Sequence, residues 1–165
     1  MIEIDWKFSA FDALSLTELY AMLQLRSEVF VVEQACVFQD LDGADTKAMH
    51  LLGSSGGQLM AYARCFAAGV KFKEASIGRL MTRGALRGSG AGHVLVRRAL
   101  ASLTQQWGPQ AVRIGAQARL ENFYRQHGFE TTGLPYIEDG IPHIEMLRHQ
   151  SSFHQGLLND HRLQK

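Results

Sequence analysis

The sequence contains little cysteine, little proline and no long run of apolar residues. Its 165 residues include 2 Cys and 3 Pro, and Cys36 and Cys65 lack the paired spacing of a redox or zinc motif. No segment approaches the ~20 apolar residues that span a bilayer, and the N-terminus has neither the basic flank nor the apolar stretch of a signal peptide. We therefore expect a cytoplasmic protein with reduced thiols and no membrane partner.

An excess of charge of either sign is also absent. Lys and Arg number 17 against 16 Asp and Glu, a formal net charge of +1, so we expect no nucleic-acid partner. Hydrophobic residues make up 46% of the chain, close to the globular average, which disfavours disorder and a collagen-like chain. We predict a single domain over residues 1–150 and a polar C-terminal tail over residues 151–165. The oligomeric state stays open, a homodimer included.

The charges are unevenly distributed along the chain. Residues 27–46 hold five acidic residues and no Lys or Arg, whereas residues 75–120 hold seven arginines and no acidic residue. An arginine-rich, acid-free segment suits a polyanionic ligand, and an acidic segment suits a cationic one. We therefore expect two poles of opposite charge on the folded protein.

A helix is predicted to begin at Ser15. The segment Ser15-Leu16-Thr17-Glu18 has the form in which a hydroxyl and a carboxylate satisfy the first free backbone N–H groups of a helix. The apolar residues that follow at helical spacing are Leu16, Leu19, Tyr20, Leu23 and Phe30. Arg26 falls on the same stripe, and a charged group on a core-facing stripe needs a partner or a polar cleft.

The rest of the chain alternates predicted strands with two further helices. In order, these are strands over 49–52, 58–66 and 76–82, a helix after the glycine-dense segment 84–92, a strand over 111–117, a helix over 120–127, and closing strands near 131 and 143–147. Ser54-Ser55-Gly56-Gly57 is suited to a hairpin turn, and Gly128 to a left-handed helix stop. Because a strand, a helix and another strand joined tightly imply a parallel pair, we predict a mixed α/β (α+β) fold with a mainly antiparallel sheet.

A glycine-rich loop lies directly before the second predicted helix. In Arg87-Gly88-Ser89-Gly90-Ala91-Gly92, glycines allow a phosphate to approach the unpaired N–H groups of a helix start. A nucleotide triphosphatase loop requires Lys-Ser/Thr after its last Gly, but His93-Val94 stands there. The dinucleotide pattern also fails, because Leu95 occupies the third Gly position. An ordinary flexible loop with a helix cap is the remaining alternative.

Two blocks in the expected order resemble the GNAT superfamily of N-acyltransferases. Arg87-x-x-Gly90-x-Gly92, between the strand 77–82 and an amphipathic helix, looks like the acetyl-CoA pyrophosphate loop of that superfamily, and residues 117–129 resemble its later motif with a helix Tyr and a Gly-Phe turn. Residues 25–34 and 136–143 further resemble the ElaA-like branch, so the likeness covers roughly residues 4–148. One departure is the segment 82–86, where the superfamily commonly has an apolar residue and a Pro.

The resemblance implies a GNAT fold with a splayed parallel strand pair and acetyl-CoA as co-substrate. The backbone of the strand at Leu80, Met81 and Thr82 would pair with the pantetheine arm and polarise the acetyl carbonyl. The other residues that the resemblance assigns to the cofactor, mainly through backbone N–H groups of the loop, are Arg87, Gly88, Ser89, Gly90, Ala91, Gly92, His93 and Asn122.

The resemblance also implies catalytic residues. Tyr124 is the analogous general acid for the leaving thiolate, and the alternative is a core tyrosine with a structural hydrogen bond. Glu33 is the first choice to accept the proton of the amine and His143 the second. Glu33 has the alternative of a structural pair with Arg26 or Arg79, and His143 that of a satisfied edge-strand histidine.

Arg26, Glu138 and Asp139 are assigned to the acceptor substrate, although Glu138-Asp139-Gly140 also suits a plain hairpin turn. His50, Asp42 and Asp45 have no fixed ligand spacing, so we predict no metal. Cys36 lies among acidic residues that disfavour a thiolate, which favours direct transfer in a ternary complex over a covalent intermediate. The predicted function is acetyl transfer to a primary amine. The alternative is an inactive CoA-binding sensor or interaction module.

Overall fold

The computed structural model describes residues 2–150 as a mixed α/β fold built on one sheet. The strands are β1 (Asp5–Ala10), β2 (Met49–Ser55), β3 (Gln58–Phe66), β4 (Ala75–Thr82), β5 (Val112–Gln117), β6 (Glu130–Thr131), β7 (Tyr136–Glu138) and β8 (Ile141–Arg148). The helices are α1 (Leu16–Arg26), which continues as a π-helix over Ser27–Glu33, then α2 (Ala91–Trp107) and α3 (Glu121–Arg125). The predicted tail, 151–165, lies outside the described residues, and the domain bounds stay a prediction.

The sheet runs in the order β1-β2-β3-β4-β5-β8-β6, and β7 also pairs with β8. The β4–β5 pair is parallel and the other pairs are antiparallel, which confirms the predicted fold class. β1 is the one long strand that the sequence pattern did not predict. No helix within residues 2–150 is long and apolar enough to cross a membrane.

The sheet separates two apolar layers. Because side chains alternate along a strand, Ala61, Ala63 and Cys65 of β3 face the core that contains α2, while Tyr62 faces the core that contains α1. Helix α2 begins directly after Gly90, whose φ of 84° is left-handed, and it ends at Gly108. The glycine loop therefore lies at the point where β4 leaves the sheet and α2 crosses it.

Helix α1 begins as predicted but buries only part of the predicted stripe. Ser15 accepts a hydrogen bond from the Glu18 N–H and donates its own N–H to the Glu18 carboxylate, which is the predicted capping box. The predicted stripe is wrong only at Leu16 and Tyr20, which are 84% and 72% exposed, whereas Leu19, Leu23 and Phe30 pack against the core with α1 and Arg26 is buried. The buried residues of α1 and the π-helix are Met22, Leu25, Arg26 and Val29. Helical spacing alone does not say where the edge of the buried face lies, and packing against β3 and β4 decides it.

Candidate active site

A gap opens in the sheet between the two parallel strands. β4 and β5 pair at Ala75–Val112 and Ser76–Arg113, and each strand then continues past the other without a further paired position in the described chain. This is the splay that the resemblance implied. The backbone edge of Leu80, Met81 and Thr82 on the β5 side is left without a strand partner, so it is able to pair with an extended ligand.

The glycine loop presents free backbone donors beside this gap. The N–H groups of Arg87, Ser89 and His93 donate to carbonyl groups within the loop. Among residues 2–150, no acceptor is found for the N–H groups of Gly88, Gly90, Ala91 and Gly92. Gly88 and Gly90 have φ values of 78° and 84°, which a side chain would disfavour. Oriented donors at the positive end of α2 form a favourable place for an anion.

An open depression with a volume of about 580 Å³ adjoins the loop. It is lined by Ser89, Gly90, His93, Val94, Arg97, Gln126 and His127. The ring nitrogens Nδ1 of His93 and Nε2 of His127 lie 2.9 Å apart, so one of them carries the shared proton. Burial, helped by the nearby charges of His93 and Arg97, lowers the pKa of His127 to about 4. Three basic side chains thus surround a space next to the free N–H groups.

Helix α3 is docked on the first turn of α2 and carries Tyr124. The Phe123 ring lies 3.4 Å from the position that a Cβ on Gly92 would take, and it contacts the rings of His93 and His127. This contact orients α3 so that Tyr124 turns inward, edge-on to Phe129. Asn122 stays exposed on α3.

Tyr124 is suited to hold and deliver a proton. Its side chain is buried in the same core as Ile77 of β4 and Ala116 of β5, and burial raises the pKa of Tyr124 to about 12. The phenol is therefore protonated at neutral pH. Within the described chain its hydroxyl has no hydrogen-bond partner, so the structural hydrogen bond that a plain core tyrosine would make is not found.

The π-helix places Glu28 and Glu33 against the two arginines that flank the loop entry. Residues five apart stack on one face of a π-helix, because its hydrogen bonds join i and i+5. Glu28 binds Arg83 at 2.9 Å and Glu33 binds Arg87 at 2.6 Å; we refer to these as the surface glutamate pairs. Glu33 therefore pairs with Arg87, and not with Arg26 or Arg79 as considered from the sequence.

Glu138, Asp139 and His143 lie together in the β7–β8 hairpin. His143 Nδ1 lies 2.7 Å from the Ile141 carbonyl oxygen, and because a carbonyl only accepts, Nδ1 carries the hydrogen. In the neutral ring Nε2 then has the free lone pair, with the Glu138 carboxylate 3.6 Å away. Asp139, with a left-handed φ of 49°, forms the predicted hairpin turn with Gly140, and its carbonyl accepts a hydrogen bond from the Cys36 thiol.

Two glutamines link this hairpin to the π-helix, and the sequence patterns did not single them out. Gln117 at the end of β5 lies opposite His143 and donates to the side-chain oxygen of Gln34 at 3.2 Å. Arg119 donates to the oxygen of Gln117, which fixes the direction of the amide hydrogen bonds because a guanidinium only donates. Glu33 precedes Gln34 in the chain and His143 lies across the sheet from Gln117, so this contact brings the two segments with the candidate bases together.

Arg26 does not line a cleft, which corrects its assignment to the substrate. Its side chain is 0% exposed, and it donates to the Asp40 carboxylate at 2.8 Å and the Asp45 carboxylate at 2.7 Å. Arg64 binds Asp42 and Asp45, and Arg79 binds Asp40. We refer to Arg26, Arg64 and Arg79 with Asp40, Asp42 and Asp45 as the buried arginine network.

The expectation of two opposite charge poles is also wrong. All five acidic residues of 27–46 pair with arginines, and three of these arginines, Arg79, Arg83 and Arg87, come from the acid-free segment. Part of the arginine-rich segment therefore lies directly against the acidic segment in the fold, instead of forming a separate pole. Glu138 and Asp139, which the sequence assigned to the acceptor, are both exposed.

Comparison with known proteins agrees with this arrangement. Residues 21–149 match the family model for an acetyltransferase (GNAT) domain. Protein ElaA of Escherichia coli K12 is 44% identical over 147 residues, which cover 88% of this chain and 96% of that protein. The crystal structure of an acyl-CoA N-acyltransferase from Pseudomonas aeruginosa is similar with a TM-score of 0.84 at 42% identity, covering 88% of this chain and 99% of that one.

The crystal structure of Escherichia coli ElaA is similar with a TM-score of 0.83 at 42% identity, covering 89% of this chain and 100% of that chain. These matches confirm the resemblance that was stated from the loop and the Tyr124 motif. The chain therefore belongs to the GNAT family of N-acetyltransferases, in its ElaA-like branch.

Proposed function

We propose that the enzyme transfers the acetyl group of acetyl-CoA directly to a primary amine within a ternary complex. The amine nitrogen attacks the thioester carbonyl carbon, the C–S bond breaks, Tyr124 gives its proton to the leaving thiolate, and a base takes the proton that the amine loses. The observation that carries the proposal is Tyr124: its side chain lies in the core that includes Ile77 of β4 and Ala116 of β5, its phenol is protonated, and its hydroxyl has no hydrogen-bond partner within residues 2–150.

The cofactor is proposed to lie in the gap with its phosphates on the glycine loop. Leu80, Met81 and Thr82 would pair with the pantetheine arm through their free backbone edge. The free N–H groups of Gly88, Gly90, Ala91 and Gly92 would hold the pyrophosphate, with Arg87, Ser89 and His93 around it and Asn122 nearby on α3. Backbone donors in a gap that excludes water also stabilise the charge that develops on the thioester oxygen.

Of the two candidate bases, the geometry favours His143. Its Nε2 has a free lone pair, and the nearby Glu138 carboxylate would stabilise the imidazolium that forms. The Glu33 carboxylate is engaged by Arg87, so it is less available to an incoming amine. Glu138 and Asp139 would attract a cationic acceptor, since a Lys-like amine has a pKa of about 10.4 and arrives protonated.

Cys36 supports direct transfer. It is buried, and its thiol donates to the Asp139 carbonyl oxygen at 3.2 Å. A thiol held in this way is a structural donor, not an exposed nucleophile.

The test is turnover of acetyl-CoA with a panel of amines and peptides, read as acetylated product by mass spectrometry. Tyr124→Phe is expected to keep CoA affinity, measured by calorimetry, and to lower kcat on the order of 10²–10⁴-fold, because only the proton donor is lost. Tyr20→Phe is the matched control, since Tyr20 is 72% exposed on α1 and far from the loop in the chain. Equal kcat for Tyr124→Phe and the parent, with chemistry rate-limiting, would contradict the role of Tyr124.

The same assay separates the two bases. His143→Gln is expected to lower kcat strongly because the proposed base is lost, whereas Glu33→Gln is expected to change acetyl-CoA binding more than kcat because it frees Arg87. A folded His143→Gln protein with unaltered kcat would return the role to Glu33.

A further inference from the structure

Strand β4 contains a residue in a conformation that strands rarely hold. Arg79 has a φ of 50°. Tyr62 lies opposite Met81 and Arg64 lies opposite Gly78, so β4 uses one more residue than β3 over this stretch and forms a bulge. The left-handed position of such a bulge is normally a glycine, because a side chain is strained there. An arginine at this position needs a contact that holds it.

The bulge determines which part of β4 faces the cleft. β4 pairs with β5 only at Ala75 and Ser76, before the bulge, while the residues proposed to pair with the cofactor follow it. Met81 packs in the core with α1, and Leu80 packs against the core with α2. Because side chains alternate, losing the extra residue would turn both to the opposite faces. The gap and the orientation of its edge therefore depend on the bulge.

Asp40 holds the Arg79 side chain. Arg79 Nε donates to Asp40 Oδ1 at 2.7 Å, and the guanidinium lies over the rings of Phe30 and Phe38 at 5.8 and 5.7 Å. The Asp40 side chain is 4% exposed and is itself bound by Arg26 through its other carboxylate oxygen at 2.8 Å. A carboxylate so buried is costly to leave without its cations, so the pairs resist any movement of Arg79.

We infer that Asp40 is a positioning residue for the acetyltransferase reaction: by holding Arg79 in its left-handed conformation, it keeps β4 bulged and the β4–β5 gap open to the cofactor. This inference rests on the proposed function. The loop that carries Asp40 lies outside the glycine loop and the Tyr124 motif, and it acts on the cofactor only through Arg79.

The test compares variants that differ in their tolerance of a left-handed residue, with the Kd of CoA measured by calorimetry. Arg79→Gly removes the ion pair but lets the backbone keep its conformation, so the Kd is expected to stay within about twofold of the parent. Arg79→Ala and Asp40→Asn lose the anchor while the strain remains, and the Kd is expected to rise roughly tenfold. The double variant Asp40→Asn/Arg79→Gly is expected to regain the parent Kd.

Asp45→Asn is the control, because Asp45 binds Arg26 and Arg64 but not Arg79. It is expected to lower the melting temperature and leave the Kd unchanged. Equal Kd values for Arg79→Gly and Arg79→Ala, or a double variant that stays as weak as Asp40→Asn, would overturn the inference.

Absence of CoA binding in the parent protein would instead contradict the proposed function. In that case the bulge of β4 is measured in the ligand-free protein, from cross-strand NOEs between residues 62 and 81. They are expected to persist in Arg79→Gly and to weaken in Arg79→Ala, and equal intensities in both would overturn it.

Discussion

The buried arginine network and the surface glutamate pairs both join acidic residues of 27–46 to arginines, but water reaches them to very different extents. In the network, the side chains of Arg26 and Asp40 are 0% and 4% exposed. In the Glu33–Arg87 pair, the side chains are 34% and 49% exposed. The same residue types therefore serve different ends: desolvated pairs lock the loop against β3 and β4, while hydrated pairs can exchange their partners for a ligand.

The difference also separates structure from chemistry. In the network, Asp40 binds Arg79 in the bulge of β4, whereas the surface pairs contact the loop that is proposed to bind phosphate. Breaking the buried arginine network should therefore lower stability, whereas breaking the surface glutamate pairs should mainly change ligand binding.

The largest effect is expected from Arg26→Met, which keeps side-chain volume but removes a buried cation from Asp40 and Asp45. Leaving buried carboxylates with fewer partners costs about 3–5 kcal/mol, and we expect a melting temperature lower by roughly 10 °C. Arg87→Met is the matched control and should cost at most about 1 kcal/mol, because its pair is exposed. Calorimetric melting of the ligand-free proteins measures both, and equal losses would contradict the contrast.

An intermediate effect is expected from acid. Hydrogen bonds from Arg64 hold the pKa of Asp42 well below its usual range; burial alone would raise the pKa of Asp45, but the hydrogen bonds and charges of Arg26 and Arg64 lower it. Burial lowers the pKa of His50 and lowers that of His127 to about 4.

For all four groups the unfolded chain takes up protons at a higher pH than the folded protein does. Stability should therefore fall from about pH 6.5 to 4 through the histidines, and further below about pH 4 through the aspartates. Melting temperatures over this range are the measurement. His127→Gln and His50→Gln should each flatten the upper part of the curve, while Arg87→Met should leave its slope unchanged. A melting temperature that is constant from pH 7 to 5 would contradict the predicted loss of stability through the two histidines.

The smallest effect is expected from Glu28→Gln at the surface. This pair with Arg83 should contribute about 1 kcal/mol or less at low salt, and it should contribute less in 1 M NaCl, where the Debye length is about 3 Å. The loss of stability caused by Arg26→Met should persist in 1 M NaCl, because its partners are buried and salt ions do not reach them. Thermal melts at the two salt concentrations compare them. A Glu28→Gln effect as large and as salt-resistant as that of Arg26→Met would remove the distinction.

Local signals made much of the fold predictable. The Ser15 and Glu18 capping box, the Gly56-Gly57 turn, Gly90 before α2 and Gly128 after α3 all act within a few residues, and each appears where the sequence indicated. The glycine loop and Tyr124 were found in the same way, because short motifs carry them. β1 has no capping, turn or glycine signal at its ends, and the sequence pattern did not predict it.

Contacts between distant residues were not predictable. The apolar stripe predicted for α1 included Leu16 and Tyr20, which are exposed, because helical spacing alone does not say where the edge of the buried face lies. Arg26 was correctly suspected on the buried face, but its partners Asp40 and Asp45 lie on a loop without regular pattern. Arg79 gave no sign of its left-handed conformation, since a strand pattern does not show a bulge.

By itself, the sequence determined the order of the elements from β2 onward apart from the short β7, the glycine loop, the position of Tyr124 and, through these, the family. Each rests on backbone geometry or capping within a few residues of chain. Only the tertiary structure decided that the acidic segment pairs with arginines of the arginine-rich segment, because Glu28 and Arg83 are 55 residues apart and Glu33 and Arg87 are 54 apart. Such pairs form where the packing of distant segments brings the side chains together, and local sequence does not specify that packing.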